Sequence, residues 1–156
     1  MLRKVISGGQ TGIDQIGLQC ARMVKLETGG TAPKNFRTEN GSKYELRDIY
    51  GLKEHSDWRY GPRTECNVED SDGTVLFGDM SSQGSVLTLS LLKKHNKPRI
   101  KNPTFFELKK FIDDNSIEVL NVAGNRGSKL TPFQRSHVGL LLLIVFKSIV
   151  GNKVQK

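Results

Sequence analysis

The sequence predicts an α/β fold, an open parallel sheet with helices on both faces. Three observations support this prediction. Short apolar segments typical of strands alternate along the chain with segments of helical periodicity. A glycine-rich turn at residues 8–12 directly follows the first strand segment, where open parallel sheets commonly bind ligands. Residues 73–78, with the sequence GTVLFG, have the composition of a strand buried on both faces.

The first half of the chain begins with a predicted strand at residues 4–7 and a helix at residues 14–25. Ile16, Ala21 and Val24 mark the apolar face of this helix, and the sequence TGGT at residues 28–31 ends it. From about residue 33 to 69 the chain is polar and shows little sustained periodicity. This composition predicts long loops with short helices, and long loops in a compact domain are usually functional. We expect one domain over residues 1–156 that contains this segment.

In the second half of the chain, strand patterns and helix patterns again alternate regularly. After the strand at residues 73–78 come a polar turn at 79–85, a helix at 85–96 and a short strand at 98–100. Thr104 is a favourable N-cap for a helix at residues 105–114, and residues 117–122 alternate as a strand. The final helix is predicted at residues 132–150.

This final helix is apolar on all sides from residue 138 to 146. A transmembrane span needs about 20 such residues, and Lys147 ends the run well before that length. We therefore predict a buried helix or a subunit interface, and no membrane partner. One sheet face would cover only half of the apolar surface, so we expect a homo-oligomer.

Composition excludes several classes of protein. Hydrophobic residues make up 36% and charged residues 26% of the chain, as in a soluble globular protein. The sequence starts without an apolar leader, and we expect a cytoplasmic location. Cys20 and Cys66 are too few for a disulfide framework, so we predict reduced thiols, with Cys20 buried on a helix. The net charge of +8 comes from dispersed Lys and Arg, which argues against nucleic acid and is compatible with a small phosphorylated ligand.

The glycine-rich turn is the first candidate site. Gly8, Gly9 and Gly12 allow close backbone approach, and the N–H groups that start the next helix favour an anion. Neither the Walker pattern nor G-x-G-x-x-G is present. The spacing of these residues alone is equally compatible with an anion site and with a turn that only packs the strand against the helix. The turn at residues 79–85 and the segment 121–128, where Arg126 could pair with an oxyanion, are candidates to lie beside it.

Four segments together resemble the molybdenum carrier family. They are SGGQTGID at residues 7–14, Pro33-Lys34, RTECNVEDSDGT at 63–74 and NVAG at 121–124, and the resemblance extends from about residue 6 to 128. The family is similar to molybdenum cofactor carrier proteins and belongs to the Rossmann-like SLOG superfamily. The resemblance implies a Rossmann-like fold and, as ligand, the molybdenum cofactor or a related phosphorylated pterin or nucleotide.

The chain departs from the family pattern at three places. Cys66 stands where the family has tryptophan, residues 82–85 replace a Gly-Gly-Thr turn, and Asn125 follows Gly124 where the family has proline. We expect the first turn to hold the phosphate or terminal oxyanion, the second turn to face it, and three basic side chains to supply positive charge. The predicted binding residues are Gly8, Gly9, Gln10, Thr11, Gly12, Gly84, Ser85, Lys34, Arg63 and Arg126.

These expectations favour a non-enzymatic binding protein that stores or carries the molybdenum cofactor. Two alternatives stay open: a protein that binds or sequesters a nucleotide-derived signal, and a hydrolase of the glycosidic bond in nucleoside monophosphates. Such hydrolases carry a Pro-Gly-Gly-x-Gly-Thr turn that is absent here. In an enzyme, Glu65 and Asp14 would be the catalytic candidates. We expect no metal site, because His55, His95 and His137 are far apart in sequence.

Overall fold

The structure, a computed structural model, describes residues 1–151. The eight strands and helices predicted with bounds are all present, and each bound lies within two residues of the predicted one. The helices are α1 (Ile13–Met23), α2 (Glu45–Asp48), α3 (Tyr60–Glu69), α4 (Gln83–Lys94), α5 (Phe105–Asp114) and α6 (Pro132–Gly151). The strands are β1 (Lys4–Ile6), β2 (Glu27–Gly29), β3 (Thr31–Ala32), β4 (Arg37–Thr38), β5 (Gly41–Ser42), β6 (Lys53–Glu54), β7 (Gly73–Phe77), β8 (Arg99–Lys101) and β9 (Val119–Gly124).

Five strands form the central sheet, in the order β2-β1-β9-β7-β8, and all of its neighbouring pairs are parallel. Side chains alternate between its faces, as β7 illustrates: Val75 and Phe77 lie in the main core, whereas Leu76 packs with Val68 and Leu92 in a second cluster. Helices α1, α5 and α6 cover the first face, and α3 and α4 cover the other. The predicted Rossmann-like α/β fold is confirmed.

The strand order explains where a site can form. From β1 the chain moves through α1 to β2 at one edge, and from β7 it moves through α4 to β8 at the other edge. Strand β9 fills the space between β1 and β7. The loops after β1, β7 and β9 therefore meet at the carboxyl edge, where the direction of the connections changes.

The polar segment 33–69 contains more regular structure than predicted. Strand β6 pairs in parallel with β3, which lies just before the segment, β4 and β5 form an antiparallel hairpin, and α3 occupies the last ten residues of the segment. A small core supports it, formed by Leu18, Ala32, Phe36, Leu46 and Leu52. The sequence missed α3 because Gly61 and Pro62 lie in its first turn. Proline is tolerated there, since the first N–H groups of a helix have no intrahelical acceptor.

Helix α6 is both a core helix and a surface helix. It packs against α1 and α5 and buries Val138, Leu142, Val145, Phe146 and Ile149. Its outer face exposes 60% of Leu140 and 46% of Ile144. By length and composition, α6 is the one helix within residues 1–151 that could cross a membrane.

Candidate functional site

The loops after β7 and β9 are joined by one asparagine. Asn125 accepts a hydrogen bond at Oδ1 from the Asp79 N–H, and its Nδ2 donates to Ser82 Oγ at 3.0 Å. Gly78, at φ 105°, lies so close that a Cβ there would be 2.0 Å from Asn125 Oδ1. Asn125 therefore brings the turn at residues 79–85 and the segment 121–128 together at the sheet edge.

The glycine-rich turn packs directly on the loop after β9. A Cβ at Gly12 would lie 2.6 Å from both Asn125 O and Gly127 N, and Gly12 has φ 83°. The Ile13 N–H donates to the Asn125 carbonyl at 3.2 Å. Glycine at position 12 is therefore required by the backbone contact itself, whatever the turn binds.

The backbone N–H groups of this turn are largely used within the chain. Gly9 donates to Ser7 Oγ at 3.2 Å, Gln10 donates to Asp14 Oδ2 at 3.1 Å, and Thr11 donates to Gln10 Oε1 at 2.9 Å. The sequence pattern predicts that such groups bind an anion. Because Asp14 and Gln10 already accept from them, other groups must provide much of any anion site. The assignment of the turn to ligand binding stays a prediction.

Arg63 provides such a group. Its guanidinium packs against Gly8, where a Cβ would lie 1.7 Å from Nη1, and it lies 5.6 Å from the Tyr60 ring. Nη1 is 3.5 Å from Asp14 Oδ2, and the two side chains are 12% and 5% exposed. Burial raises the pKa of Asp14, against the lowering effects of Arg63 and of the Gln10 and Gly8 N–H groups. Within residues 1–151, Arg63 Nε is a buried side-chain atom without a hydrogen-bond partner.

The start of α4 forms the facing wall. Ser82 is the N-cap and accepts a hydrogen bond from the Ser85 N–H at 3.3 Å. A Cβ at Gly84 would meet nothing within 4 Å, so this part of the helix borders open space. The positive end of the helix dipole therefore faces the region beside Arg63.

A cavity of about 580 Å³ lies between these walls. It contains six of the residues that the sequence singled out: Gly8, Gln10, Asp14, Arg63, Gly84 and Arg126. Lys129 adds a further positive charge, and Asp79 adds a negative one that already accepts from Ser81 N and Oγ at 2.8 and 2.7 Å. The cavity thus combines basic groups with a helix N-terminus.

The other predicted residues lie elsewhere. Gly9 faces the small core, because a Cβ there would lie 2.7 Å from a Leu46 methyl group. Thr11 and Gly12 line a separate open cleft beside α1, and Ser85 is buried beneath the α4 N-terminus. Lys34 is exposed, and its N–H donates to the Asp57 carbonyl at 2.9 Å. The fold does not bring these five residues into the cavity.

Helix α3 lines one side of the cavity with the predicted Arg63 and with Thr64 and Asn67, which the sequence pattern did not single out. Tyr60, Arg63, Thr64 and Asn67 all line the cavity, and their spacing is that of one helical face. Asn67 also joins α3 to β3, since it donates to the Thr31 carbonyl at 2.9 Å and accepts from the Thr31 N–H at 2.8 Å. The i, i+3, i+4, i+7 spacing could have identified this face.

Glu65 lies on another side of α3. Its carboxylate accepts from Lys94 Nζ at 2.6 Å and lies 2.8 Å from His95 Nε2, while His95 Nδ1 is 3.6 Å from Glu69. Glu65, Glu69 and His95 have potential metal-ligand atoms within 4.8 Å of one another, a grouping that sequence spacing did not predict. Because Lys94 already pairs with Glu65, the cluster is an ion-pair network that joins α3 to α4 outside the cavity.

Comparisons with known proteins agree with the fold. The model of a family described as the circularly permutated YpsA SLOG family matches residues 5–143. The crystal structure of a protein from Syntrophus aciditrophicus SB, named "Putative molybdenum carrier protein", is 32% identical, with a TM-score of 0.79. The alignment covers 93% of this chain and 94% of that one. No curated protein matches the chain.

Proposed function

Because the chain belongs to the circularly permutated YpsA SLOG family, we propose that it binds a phosphorylated heterocycle in the cavity at the carboxyl edge of its sheet. The observation that carries this proposal is Arg63. The Arg63 side chain lines the cavity and, within residues 1–151, its buried Nε has no acceptor; an oxyanion would accept from the guanidinium N–H groups that reach the cavity.

The surroundings of Arg63 support an anionic ligand. Arg126 and Lys129 line the same cavity, and the α4 N-terminus at Gly84 faces it. A helix N-terminus combines free N–H groups with a favourable dipole, which suits a phosphate. The three basic side chains of the cavity outnumber its two carboxylates, Asp14 and Asp79. Both carboxylates already accept hydrogen bonds within the protein.

The shape of the cavity supports a ring attached to the anion. Its volume, about 580 Å³, lies within the usual range for small-molecule sites. Tyr60 and Leu87 line it and provide a flat aromatic and an aliphatic surface for a heterocycle.

We propose storage or transport of the molybdenum cofactor as the specific role, in line with the name of the Syntrophus protein. Binding of a nucleotide-derived signal would use the same cavity. The hydrolase alternative has less support, since Glu65 lies in the ion-pair network and only Asp14 of the two candidates lines the cavity. Native purification followed by mass spectrometry and molybdenum analysis separates the roles. Pterin with molybdenum supports the carrier, and a nucleotide without metal supports the signal-binding protein.

A charge reversal in the cavity tests the site directly. Gly84→Glu should weaken binding of guanosine monophosphate about tenfold relative to Gly84→Gln. The two side chains have the same size and differ only in the negative charge that glutamate places beside the phosphate. Both side chains project into open space, so the fold is preserved. A substitution at Gly12 would not test binding in the same way, because a side chain there would overlap backbone atoms of residues 125–127 and disturb the fold. Calorimetric titration measures the effect, and equal affinities of the two variants would contradict the proposed phosphate position.

The proposal also includes a cytoplasmic homo-oligomer. Cys20 and Cys66 are both free, as suits a reducing compartment. The exposed Leu140 and Ile144 of α6 form an apolar surface that a second copy of the chain would cover. No membrane is required, because the opposite face of α6 packs in the core.

A further inference from the structure

Glu39 is an acidic residue whose contacts the proposed function does not use. It lies at the tip of the β4–β5 hairpin, next to the exposed Asn40, yet its side chain is only 13% exposed. Its carboxylate accepts hydrogen bonds from Thr11 Oγ and from Ser128, through N–H at 2.9 Å and through Oγ at 2.6 Å. A carboxylate at a solvated hairpin tip would be hydrated by water, whereas the Glu39 carboxylate accepts its hydrogen bonds from the protein.

These contacts connect two loops of the site. The Glu39 N–H donates to Gln10 Oε1 at 2.9 Å, in the glycine-rich turn. Thr11 Oγ, which donates to Glu39, also accepts from the Gly127 N–H at 3.0 Å. Arg126 Nε lies 4.0 Å from the Glu39 carboxylate. Glu39 therefore joins residues 10–11 to residues 126–128, through its backbone N–H to Gln10 and through its carboxylate to the others, and Arg126 also lines the cavity.

Glu39 is charged when it makes these contacts. Burial raises the pKa of its carboxyl, but the hydrogen bonds from Ser128 and Thr11, together with Arg126, outweigh burial and lower the pKa overall. A lowered pKa means that the contacts are complete above the ordinary glutamate range and weaken as the pH falls through the lowered value. At neutral pH the connection between the loops is therefore intact.

We propose that Glu39 is a positioning residue of the ligand site. It holds Arg126 and residues 127–128 against the glycine-rich turn, so that Arg126 is in place for the oxyanion of the ligand. The inference rests on the proposed function. Glu39 itself has the same sign of charge as the ligand, so it acts through Arg126 and does not contact the oxyanion.

The test compares two variants that lose the same charge. Glu39→Gln should weaken binding of guanosine monophosphate about tenfold, whereas Glu45→Gln, at an exposed position on α2, should leave the affinity unchanged. Calorimetric titration measures both, and circular dichroism checks that they fold. Affinity of Glu39→Gln that equals or exceeds that of the wild type would overturn the positioning role. If the wild type does not bind guanosine monophosphate, nucleotide binding in this cavity fails, and the role of Glu39 in positioning Arg126 for that phosphate fails with it.

A double-mutant cycle distinguishes positioning from general structural support. In an Arg126→Gln background, Glu39→Gln should have little further effect on affinity, because it acts through the side chain already removed. A full additional loss would show that Glu39 only supports the fold, and would overturn the proposal. If Glu39→Gln does not fold, Ser128→Ala replaces it in the cycle, since it removes one donor to the carboxylate. The same non-additivity is then expected, and additivity again overturns the proposal.

Discussion

At the scale of single residues, the site depends on how Asp14 and Arg63 share a buried position. Asp14 accepts from the Gln10 N–H and lies 3.5 Å from Arg63 Nη1, so it shapes the turn and restrains the guanidinium. This arrangement leaves Arg63 Nε without a partner within the described chain. The pair thus holds a cation at the cavity wall with part of its hydrogen-bonding capacity free, which suits reversible binding of an anion.

The raised pKa of Asp14 predicts how the free energy of unfolding depends on pH. Burial raises the pKa above the ordinary aspartate value, so the folded protein retains a proton that the unfolded chain has lost. The contribution of Asp14 to the free energy of unfolding should therefore fall as the pH rises through the raised pKa. Asp14→Asn lacks this titration, so its stability should rise relative to the wild type over that pH range, as measured by urea unfolding between about pH 4 and pH 8.

Asp113→Asn provides the control, since Asp113 is an exposed partner of Lys109 on α5. This variant should follow the pH dependence of the wild type. A stability difference between Asp14→Asn and the wild type that stays constant with pH would contradict the raised pKa.

At the scale of elements, close helix packing brings the first turn to its place. Gly17 lets α1 approach β9, since a Cβ there would lie 2.7 Å from the Val122 side chain. Across the same helix, Cys20 Sγ lies 3.3 Å from the Gly139 carbonyl of α6. Helix α1 is therefore packed between the sheet and α6, and this packing fixes where the glycine-rich turn that precedes it lies.

Two glycine substitutions on these packed helices should have opposite effects. Gly17→Ala should lower the free energy of unfolding by about 1–3 kcal/mol, because its methyl group overlaps Val122. Gly139→Ala should raise it by up to about 1 kcal/mol, because a Cβ there would make an ordinary 3.7 Å contact with Ile16 and alanine favours the helix. Urea denaturation measures both, and equal shifts would contradict the tight α1–β9 contact.

At the scale of the whole molecule, the two sides of the sheet have different roles. The face covered by α3 and α4 holds the cavity, and the face covered by α1, α5 and α6 holds the main core. The exposed Leu140 and Ile144 lie on the outer side of α6. An assembly through α6 would therefore leave the cavity on the opposite face accessible.

We predict that Leu140→Glu combined with Ile144→Glu converts the oligomer to a monomer. Burying two carboxylates in an apolar contact is strongly unfavourable, whereas both positions tolerate charge on an isolated chain. Sedimentation velocity measures the change. Phe106→Glu on α5, at a side chain 79% exposed, is the matched control and should leave the assembly intact. A wild-type protein that sediments as a monomer would contradict the predicted oligomer.

The sequence by itself determined four of the five strands of the central sheet, all but β2, together with helices α1, α4, α5 and α6 and the order of these elements. Strand and helix periodicities are local properties, and so are caps: Thr104 forms the predicted cap of α5, with Glu107 completing a capping box. The glycine-rich turn after β1 likewise indicated the edge of the sheet at which the cavity lies.

Only the tertiary structure decided which polar groups are available at that edge. Gln10 and Asp14 accept from the turn's own N–H groups, and Glu65 faces Lys94 and not the cavity. Arg63 reaches Asp14 across 49 positions of sequence, and Glu39 reaches Ser128 across 89. Whether a polar group is satisfied depends on partners that folding brings from distant segments. No local pattern specifies those partners, which is why the sequence located the site but not all of the residues that form it.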